Sequence, residues 1–257
     1  MPGSTCSLIF PMTKPFLIMQ LRPEDDTSDN EYAAFLKYGE LAASDTHRLR
    51  IEQSGIPDDL VLKDYSAVIV GGSPFDISTP EQDKSAIQKK IEKDFKRLFD
   101  VIVPNDIPFL GACSGNGLLG AYLGTSISTR YGEAVGCTQV DLTAAGKRAP
   151  LLHNFPDTIT VLLGHKEACD EVPEGAQLLI SGDACPVQMF RVGSNVYATQ
   201  FHPEGDAEGF TLRIHAYKNH GYFEPHQADC LVGAVCEKET PHAQEILRRF
   251  VARYRKP

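Results

Sequence analysis

The sequence predicts an α/β fold in which a mainly parallel sheet carries helices on both faces. Apolar runs of strand length alternate with longer amphipathic segments, which is typical of β–α–β units. Two glycine-rich breaks, Gly71-Gly72 and residues 111–117, directly follow such runs, as loops at the carboxyl ends of parallel strands do. The chain has 257 residues, 42% of them hydrophobic, so we expect a single domain over residues 1–257 with a substantial core.

The first half of the chain shows this alternation clearly. The helix predicted at 80–100 has the strongest pattern, because its apolar residues recur at spacings of four, four and three and share one face. Those residues are Ile87, Ile91, Phe95 and Leu98. Strands are predicted at 15–21, 48–53, 66–70 and 108–112, and helices at 31–44, 80–100 and 114–123. Residues 1–11 are expected to be a loose extension before the first strand.

The second half is predicted to contain mostly strands and to end in helices. Strands are predicted at 134–143, 158–163, 177–181, 187–192 and 195–200. Helices are predicted at 207–219 and 241–254. Residues 205–257 would then form a helical C-terminal segment.

The composition argues against several classes of protein. The net charge is −9, and an acidic surface repels phosphate backbones, so we expect no nucleic-acid partner. No apolar run approaches the roughly 20 residues that a membrane-spanning helix needs. The start of the chain also lacks the basic leader of a signal peptide. We therefore expect a cytoplasmic protein that does not associate with membranes.

The cysteines argue against a disulfide framework and against a structural zinc site. Their number is odd, their spacings are wide, and no CxxC motif occurs. Reduced thiols, and no bound metal, are the simplest expectation. The seven cysteines are Cys6, Cys113, Cys137, Cys169, Cys185, Cys230 and Cys236.

Residues 107–120 (IPFLGACSGNGLLG) predict a nucleophile elbow with Cys113 at its centre. A buried strand runs into a sharp turn, and a helix follows, while Gly111 and Gly115 leave room for the turn on either side. The start of that helix places positive partial charge beside the sulfur, which favours the thiolate. The backbone amide of Ser114 would point to where an oxyanion forms.

Two other interpretations of this segment stay open at this point. Cys113 could be an ordinary buried cysteine in a glycine-rich turn. Residues 115–120 also match GxGxxG after a strand, with Glu133 downstream, as in dinucleotide-binding folds. That fingerprint normally lies in the first βα unit, whereas here it lies well into the chain.

His202 and Glu204 end a predicted strand in residues 195–206 (NVYATQFHPEGD). Side chains two residues apart on an extended chain point to the same side, and Pro203 keeps His202 out of the helical region. Glu204 could therefore bind one imidazole nitrogen and leave the other to take a proton from a thiol. A lone HxE is equally typical of a surface or core histidine, but together with the elbow it indicates nucleophilic chemistry.

The elbow at 111–117 (GACSGNG) and the segment at 200–204 (QFHPE) resemble those of the class I (triad) glutamine amidotransferases. The similarity is closest to the amidotransferase domain of GMP synthases and to stand-alone proteins related to it. It implies a flavodoxin-like fold and a triad of Cys113, His202 and Glu204. It also implies that the amides of Gly72 and Ser114 form the oxyanion hole.

The resemblance further suggests which residues line the substrate pocket. Gly71 belongs to the glycine loop, and residues 164–167 (GHKE) look like the family's His-x-Asp loop. His165 and Glu167 would then line the pocket or contact a partner protein, although an ordinary surface loop explains them equally well. In the family the elbow continues Cys-x-Gly-x-Gln, and that Gln helps to hold the substrate. Here the position is Gly117, so a γ-glutamyl peptide or another amide fits the sequence better than free glutamine.

The chemistry that the resemblance implies is attack of the Cys113 thiolate on a side-chain amide, giving a γ-glutamyl thioester. No metal or organic cofactor is needed for this step. The segment after Glu204 contains no SGGxDS-type pyrophosphate loop, so ammonia would go to a separate synthetase, or the thioester to water or an amine. Three hypotheses remain: a stand-alone amidase or amidotransferase, a glutaminase subunit of a separate synthetase, and a non-catalytic binding protein that keeps the fold.

Overall fold

The computed structural model describes residues 14–219, 223–235 and 237–256. The predicted extension at 1–11 lies outside these residues, as do Cys6 and Cys236. The strands are β1 (Phe16–Gln20), β2 (Thr46–Arg50), β3 (Val68–Val70), β4 (Phe109–Ala112), β5 (Ile127–Ser128), β6 (Glu133–Leu142), β7 (Thr158–His165), β8 (Ala168–Cys169), β9 (Ala176–Ser181), β10 (Met189–Val192) and β11 (Val196–Thr199). The helices are α1 (Asp25–Gly39), α2 (Ile51–Ser54), α3 (Ala86–Ile102), α4 (Ser114–Tyr122), α5 (Ala207–Tyr217), α6 (Ala228–Val235) and α7 (Pro241–Tyr254).

Nine of the strands form one sheet in the order β2-β1-β3-β4-β11-β10-β9-β6-β7. The first five are parallel to one another, and the remaining four continue the sheet with antiparallel pairings. The predicted α/β class with a parallel sheet is thus confirmed, and the strand-rich second half supplies the antiparallel extension. Only three residues separate β10 from β11, and so short a connection can join antiparallel strands but not parallel ones.

Helices cover both faces of the sheet, as expected. Alternate residues of β1 enter different cores, because successive strand side chains point to opposite faces. Phe16 and Ile18 pack in the core that contains residues of α1 and α7, whereas Leu17 and Met19 pack in the core that contains residues of α3 and α4. Such burial on both faces explains why this strand is a continuous apolar run.

Several predicted boundaries differ from the structure. Helix α1 begins and ends earlier than the predicted 31–44, because acidic residues stabilise its first turn and Glu40 ends it with a φ of 51°. Helix α3 begins at Ala86, where the Ser85 side chain accepts a hydrogen bond from the Gln88 amide. Ile87 is 49% exposed, so its assignment to the buried face was wrong.

The C-terminal segment at 205–257 is helical as predicted, but it contains an additional helix. Helix α6 lies between α5 and α7 and was not predicted; it is only eight residues long (ADCLVGAV). The short pair β5 and β8 was also missed. Within the residues that the structure describes, no helix is long and apolar enough to cross a membrane.

Strands β1, β3, β4 and β11 all end at one edge of the sheet, because they are parallel neighbours. The residues that follow these four strands therefore meet at this edge. Arg22 follows β1, Gly71-Gly72 follows β3, Cys113 follows β4, and His202 follows β11.

Candidate active site

Cys113 lies between β4 and α4 in a conformation that few non-glycine residues adopt, with φ 51° and ψ −98°. Such strain persists only where the surroundings impose it, and it is concentrated at functional sites. A Cβ added to Gly111 would lie 2.8 Å from the carbonyl carbon of Gly115, so the turn closes tightly only because Gly111 lacks a side chain. The backbone therefore has the sharp, strained turn that the sequence predicts.

The His202 ring is buried, and its Nδ1 lies 2.7 Å from Oε1 of the fully buried Glu204. The Nη2 atom of Arg213 donates to the same carboxylate oxygen at 3.0 Å. Arg213 Nη1 also lies 3.2 Å from Nδ1, but the shorter contact to the Glu204 carboxylate leads us to assign the proton of the neutral ring to Nδ1. The Nε2 atom then carries a lone pair, and it has no partner among the described residues.

The protonation states follow from burial and neighbouring charges. Burial raises the pKa of Cys113 to about 11, although Arg22 and Arg213 oppose this. Burial therefore opposes the thiolate that the helix start was expected to favour, and the thiolate stays a prediction. Burial lowers the pKa of His202, so its ring is neutral and able to accept a proton. Burial opposes ionisation of Glu204, but His202 and Arg213 outweigh it and lower the pKa of this carboxyl.

The two predicted oxyanion donors differ in the structure. The Ser114 amide, at the start of α4, has no acceptor among the described residues and can receive an oxyanion. The Gly72 amide instead donates to Oε1 of Glu31 at 3.1 Å. The Gly72 amide therefore already donates to a buried carboxylate in this structure, and its expected oxyanion role stays a prediction.

Sequence reasoning missed a buried ionic network beside the thiol. Arg22 Nε donates to Glu31 Oε1 at 2.7 Å, and Arg22 Nη1 donates to the Tyr217 hydroxyl at 3.2 Å. Arg213 Nη2 lies 3.9 Å from the same Glu31 oxygen. The only local signal was the position of Arg22 directly after the first apolar strand, at the carboxyl edge of the sheet. Glu31 and Arg213 lie in ordinary amphipathic segments, which carry no such signal.

Two cavities meet at Cys113. We call one the Ser114 cavity; its lining includes Ser73, Cys113, Ser114, Gly117, His165, Lys166, Glu167 and Gln200. We call the other the His202 cavity; its lining is Arg22, Ser73, Cys113, Val135, Gly164, His202, Phe210, Arg213, Ile214, Tyr217 and Phe223. Gly71 is in neither lining, and a Cβ at this position would lie 2.4 Å from Glu31 Oε2. Its place in the substrate pocket stays a prediction.

The other predicted pocket residues lie together in the Ser114 cavity. Both carboxylate oxygens of Glu167 accept backbone amides, from Ile77 at 2.6 Å and from Ser78 at 2.7 Å. A Cβ added to Gly117 would lie 2.8 Å from Ile77 Cδ1, so this isoleucine fills the space beside the glycine. His165 is buried, which rules out an ordinary surface loop.

The dinucleotide interpretation of residues 115–120 is wrong. These residues lie inside helix α4, so they form no loop that could wrap a pyrophosphate. A Cβ on Gly120 would lie 2.4 Å from Cys169 Sγ, which shows that this glycine serves helix packing. Glu133 accepts hydrogen bonds from Gln188 at 2.6 Å and His165 at 3.0 Å, away from any ribose site.

Two groups of side chains among the described residues have donor atoms close enough to hold a metal ion, within 4.8 Å of one another. They are Glu31, His202 and Glu204, and Glu133, His165 and Cys185. In the first group both carboxylates already bind arginine, which takes the place of a cation. In the second group Glu133 accepts hydrogen bonds from Gln188 and His165, as a structural carboxylate does.

Comparison with known proteins identifies the family. The model of the class-I glutamine amidotransferase family matches residues 35–221. A GMP synthase [glutamine-hydrolyzing] from Caldicellulosiruptor saccharolyticus is 29% identical over 150 residues, which are 57% of this chain and 26% of that protein. The chain thus spans only about a quarter of that relative's length.

Shorter relatives and solved structures match over most of their length. A GMP synthase [glutamine-hydrolyzing] subunit from Methanosphaera stadtmanae is 26% identical over 176 residues, covering 66% of this chain and 84% of that protein. A glutamine amidotransferase structure from Thermotoga maritima superposes with a TM-score of 0.72 at 22% identity, covering 94% of this chain and 98% of that one. The fold and the matched segments together show that this chain belongs to the class-I glutamine amidotransferase family.

Proposed function

We propose that this protein cleaves the amide of glutamine or of a γ-glutamyl compound through a thioester on Cys113. One observation carries the proposal: the strained Cys113 lines a cavity together with His202, whose ring is held by Glu204 at 2.7 Å. This arrangement supplies a nucleophile, a base and a group that orients the base.

The reaction follows from these three side chains and one amide. His202 Nε2 takes the thiol proton as the sulfur attacks the side-chain carbonyl carbon, and the Ser114 amide binds the resulting oxyanion. The carbon–nitrogen bond then breaks, and the departing nitrogen receives the proton from His202. Water, activated in turn by His202, attacks the thioester, releases glutamate and restores the thiol. These steps use no metal and no organic cofactor.

The buried arginines help this sequence of steps. Arg22 and Arg213 lower the pKa of Cys113 against the effect of burial, so they favour the charged sulfur that forms during attack. Glu204 stabilises the imidazolium that forms at the same moment. The thiol and neutral imidazole of the free protein therefore become an ion pair only when a substrate is present.

The Ser114 cavity has Gly117 where the family has its substrate-holding Gln, so a γ-glutamyl compound with further contacts outside this cavity is a better candidate than free glutamine. Gly117 offers no amide side chain, and Ile77 fills the space beside it. We place the glutamyl portion in this cavity, near His165 and Glu167, because the oxyanion donor Ser114 lines it. We further propose a cytoplasmic location, since the chemistry requires a reduced Cys113.

A second candidate is a glutaminase that passes ammonia to a separate synthetase. The observation that favours it is the match to a GMP synthase subunit, which covers 84% of the Methanosphaera stadtmanae protein. Glutamine turnover that appears only when a purified synthetase is added, with stable co-purification of the two proteins, would support this candidate over a stand-alone enzyme.

The direct test is a turnover assay on glutamine and a set of γ-glutamyl amides, following glutamate release. We expect turnover by the wild type, a covalent adduct of γ-glutamyl mass on the peptide containing Cys113, and neither with Cys113→Ala. Cys185→Ala is the matched control, because this cysteine is fully buried and lines neither cavity. Binding of these compounds without any Cys113-dependent turnover would instead indicate a non-catalytic binding protein.

A further inference from the structure

The side of Cys113 from which the amine departs can be assigned from the linings of the two cavities. Ser114 lines one cavity and His202 lines the other, while Cys113 lines both. The carbonyl oxygen of a bound amide must face the Ser114 amide. The departing nitrogen must face His202, which protonates it. Under the proposed function, the His202 cavity therefore receives the leaving amine.

The lining of the His202 cavity contains more side chains than the binding of ammonia would require. Val135, Phe210, Ile214 and Phe223 give it apolar walls, which offer nothing to a small polar molecule. Apolar walls around a few polar groups are instead typical of a pocket for an organic group.

The polar part of the lining consists of two arginines, Arg22 and Arg213, which are only 4% and 7% exposed. Arg22 Nη2 has no acceptor among the described residues, since the other guanidinium nitrogens make the contacts to Glu31 and Tyr217. It lies near the reacting groups: a Cβ added to Gly72 would be 2.5 Å from Arg22 Nη2 and 2.8 Å from His202 Cε1.

Arg213 also has an unused donor. Its Nη2 binds Glu204, but its Nε is buried and has no hydrogen-bond partner in the described part of the chain. Both arginines line this cavity, and a buried donor such as Arg213 Nε is normally paired, so the unused N–H groups indicate a missing acceptor. Glu31 and Glu204 balance the two arginines in charge, so the cavity offers directed hydrogen bonds rather than net positive charge.

We infer that the His202 cavity is a subsite for a leaving amine that carries a carboxylate and an apolar side chain. The inference rests on the proposed function and names its substrate class: γ-glutamyl amides of apolar amino acids. In hydrolysis, water adds across the amide bond, so the products are glutamate and the free amino acid. The carboxylate of that amino acid accepts from Arg22 Nη2, and its side chain packs against the apolar wall.

The test compares two substrates that differ only in the group that we place at the arginines. Hydrolysis of γ-glutamyl-phenylalanine and of γ-glutamyl-phenylalanine amide is followed by chromatography of the released amine. We expect kcat/KM to be about 10- to 100-fold higher for the free acid, as for a charge-assisted hydrogen bond. Because the protein is unchanged in this comparison, loss of folding cannot produce the result.

A variant then assigns the preference to the arginine. With Arg22→Gln, the preference for the acid should fall to less than about threefold, whatever the change in absolute rate. Equal kcat/KM for acid and amide in the wild type, or a preference for the amide, would overturn the subsite. The proposed function would remain intact in that case, provided that Cys113→Ala abolishes both reactions. An acid preference that Arg22→Gln leaves unchanged would also overturn it. No Cys113-dependent turnover of any γ-glutamyl amide would instead remove the proposed function itself.

Discussion

Two groups of cysteine, histidine and glutamate among the described residues can be compared, and of these two only one has the geometry of a reactive site. In one, His202 binds Glu204 at 2.7 Å and shares a cavity with Cys113. In the other, His165 binds Glu133 at 3.0 Å, and Cys185 lies close by. The residue types are the same, so the difference must come from the backbone and from the hydrogen bonds of each ring.

In the second group neither the histidine nor the cysteine is available to react with a substrate. Both ring nitrogens of His165 are bound, Nδ1 to the Glu167 carbonyl at 3.0 Å and Nε2 to Glu133. Cys185 is fully buried and lines neither of the two cavities at Cys113. In the first group Nε2 of His202 has no partner among the described residues, and the sulfur lies at a strained turn facing two cavities. A free imidazole nitrogen and an accessible sulfur, rather than composition, distinguish the candidate site.

The largest expected effect on activity compares substitutions of Cys113 and Cys185. Cys113→Ala should reduce kcat/KM for any substrate by about 10⁴-fold or more, because no nucleophile remains. Cys185→Ala should change kcat/KM by less than about threefold and lower the free energy of unfolding by about 1 kcal/mol, through a small cavity. Steady-state kinetics and thermal unfolding measure the two effects. Similar losses of activity in both variants would mean that the comparison assigns the wrong cysteine.

The next largest effect on activity compares substitutions of His202 and His165. His202→Asn should reduce kcat by about 10²- to 10⁴-fold, since proton transfer to and from the sulfur is lost. His165→Asn should leave kcat within about tenfold but lower the free energy of unfolding by about 1–3 kcal/mol, because buried partners lose their hydrogen bonds. Urea denaturation together with kinetics separates these outcomes, and a larger kcat loss in His165→Asn would contradict them.

Glu204 and Glu133 should differ in their effect on the pH dependence of the reaction rate. The wild-type rate should rise with pH as His202 loses its proton, with a midpoint below 6.5, because burial lowers the pKa of this ring. Glu204 raises that pKa, so Glu204→Gln should move the midpoint to lower pH and reduce kcat/KM by about 10²-fold. Glu133→Gln should leave the midpoint in place. A midpoint that moves upward in Glu204→Gln would refute the assignment of His202 as the titrating base.

The smallest effect concerns the Ser114 cavity, which borders both Cys113 and His165. Gly117→Gln restores the residue type common in the family, but its Cβ would meet Ile77 Cδ1 at 2.8 Å. We therefore expect KM for glutamine to rise by roughly three- to tenfold in Gly117→Gln, because the cavity is overpacked. Adding Ile77→Ala should reverse the rise, while Ile77→Ala alone serves as the control. A fall in KM from Gly117→Gln alone would show that Ile77 moves aside without cost.

Sequence reasoning worked best where the pattern was local. The strand and turn around Cys113 could be predicted, because glycine spacing and apolar runs act within a few residues. The pairing of His202 with Glu204 was predicted from an extended chain, but residues 202–205 form a turn in which the Gly205 amide donates to the His202 carbonyl at 3.0 Å. The effect of burial on the Cys113 pKa could not be predicted, because burial depends on the whole surrounding fold rather than on one helix start. The hydrogen bond from the Gly72 amide to Glu31 could not be predicted either, because Glu31 lies in a helix 41 residues earlier in the chain.

The sequence by itself determined the class of fold, the elbow at Cys113 and the histidine–carboxylate pair at 202–204, because each is encoded in a short segment. The tertiary structure decided which side chains surround the thiol. Arg22 follows β1, while Glu31 and Arg213 lie in α1 and α5, and the three meet only when the parallel strands align their carboxyl ends. Contact among residues so far apart in the sequence could not be predicted from local patterns. Burial and charge pairing depend on how the elements pack against one another.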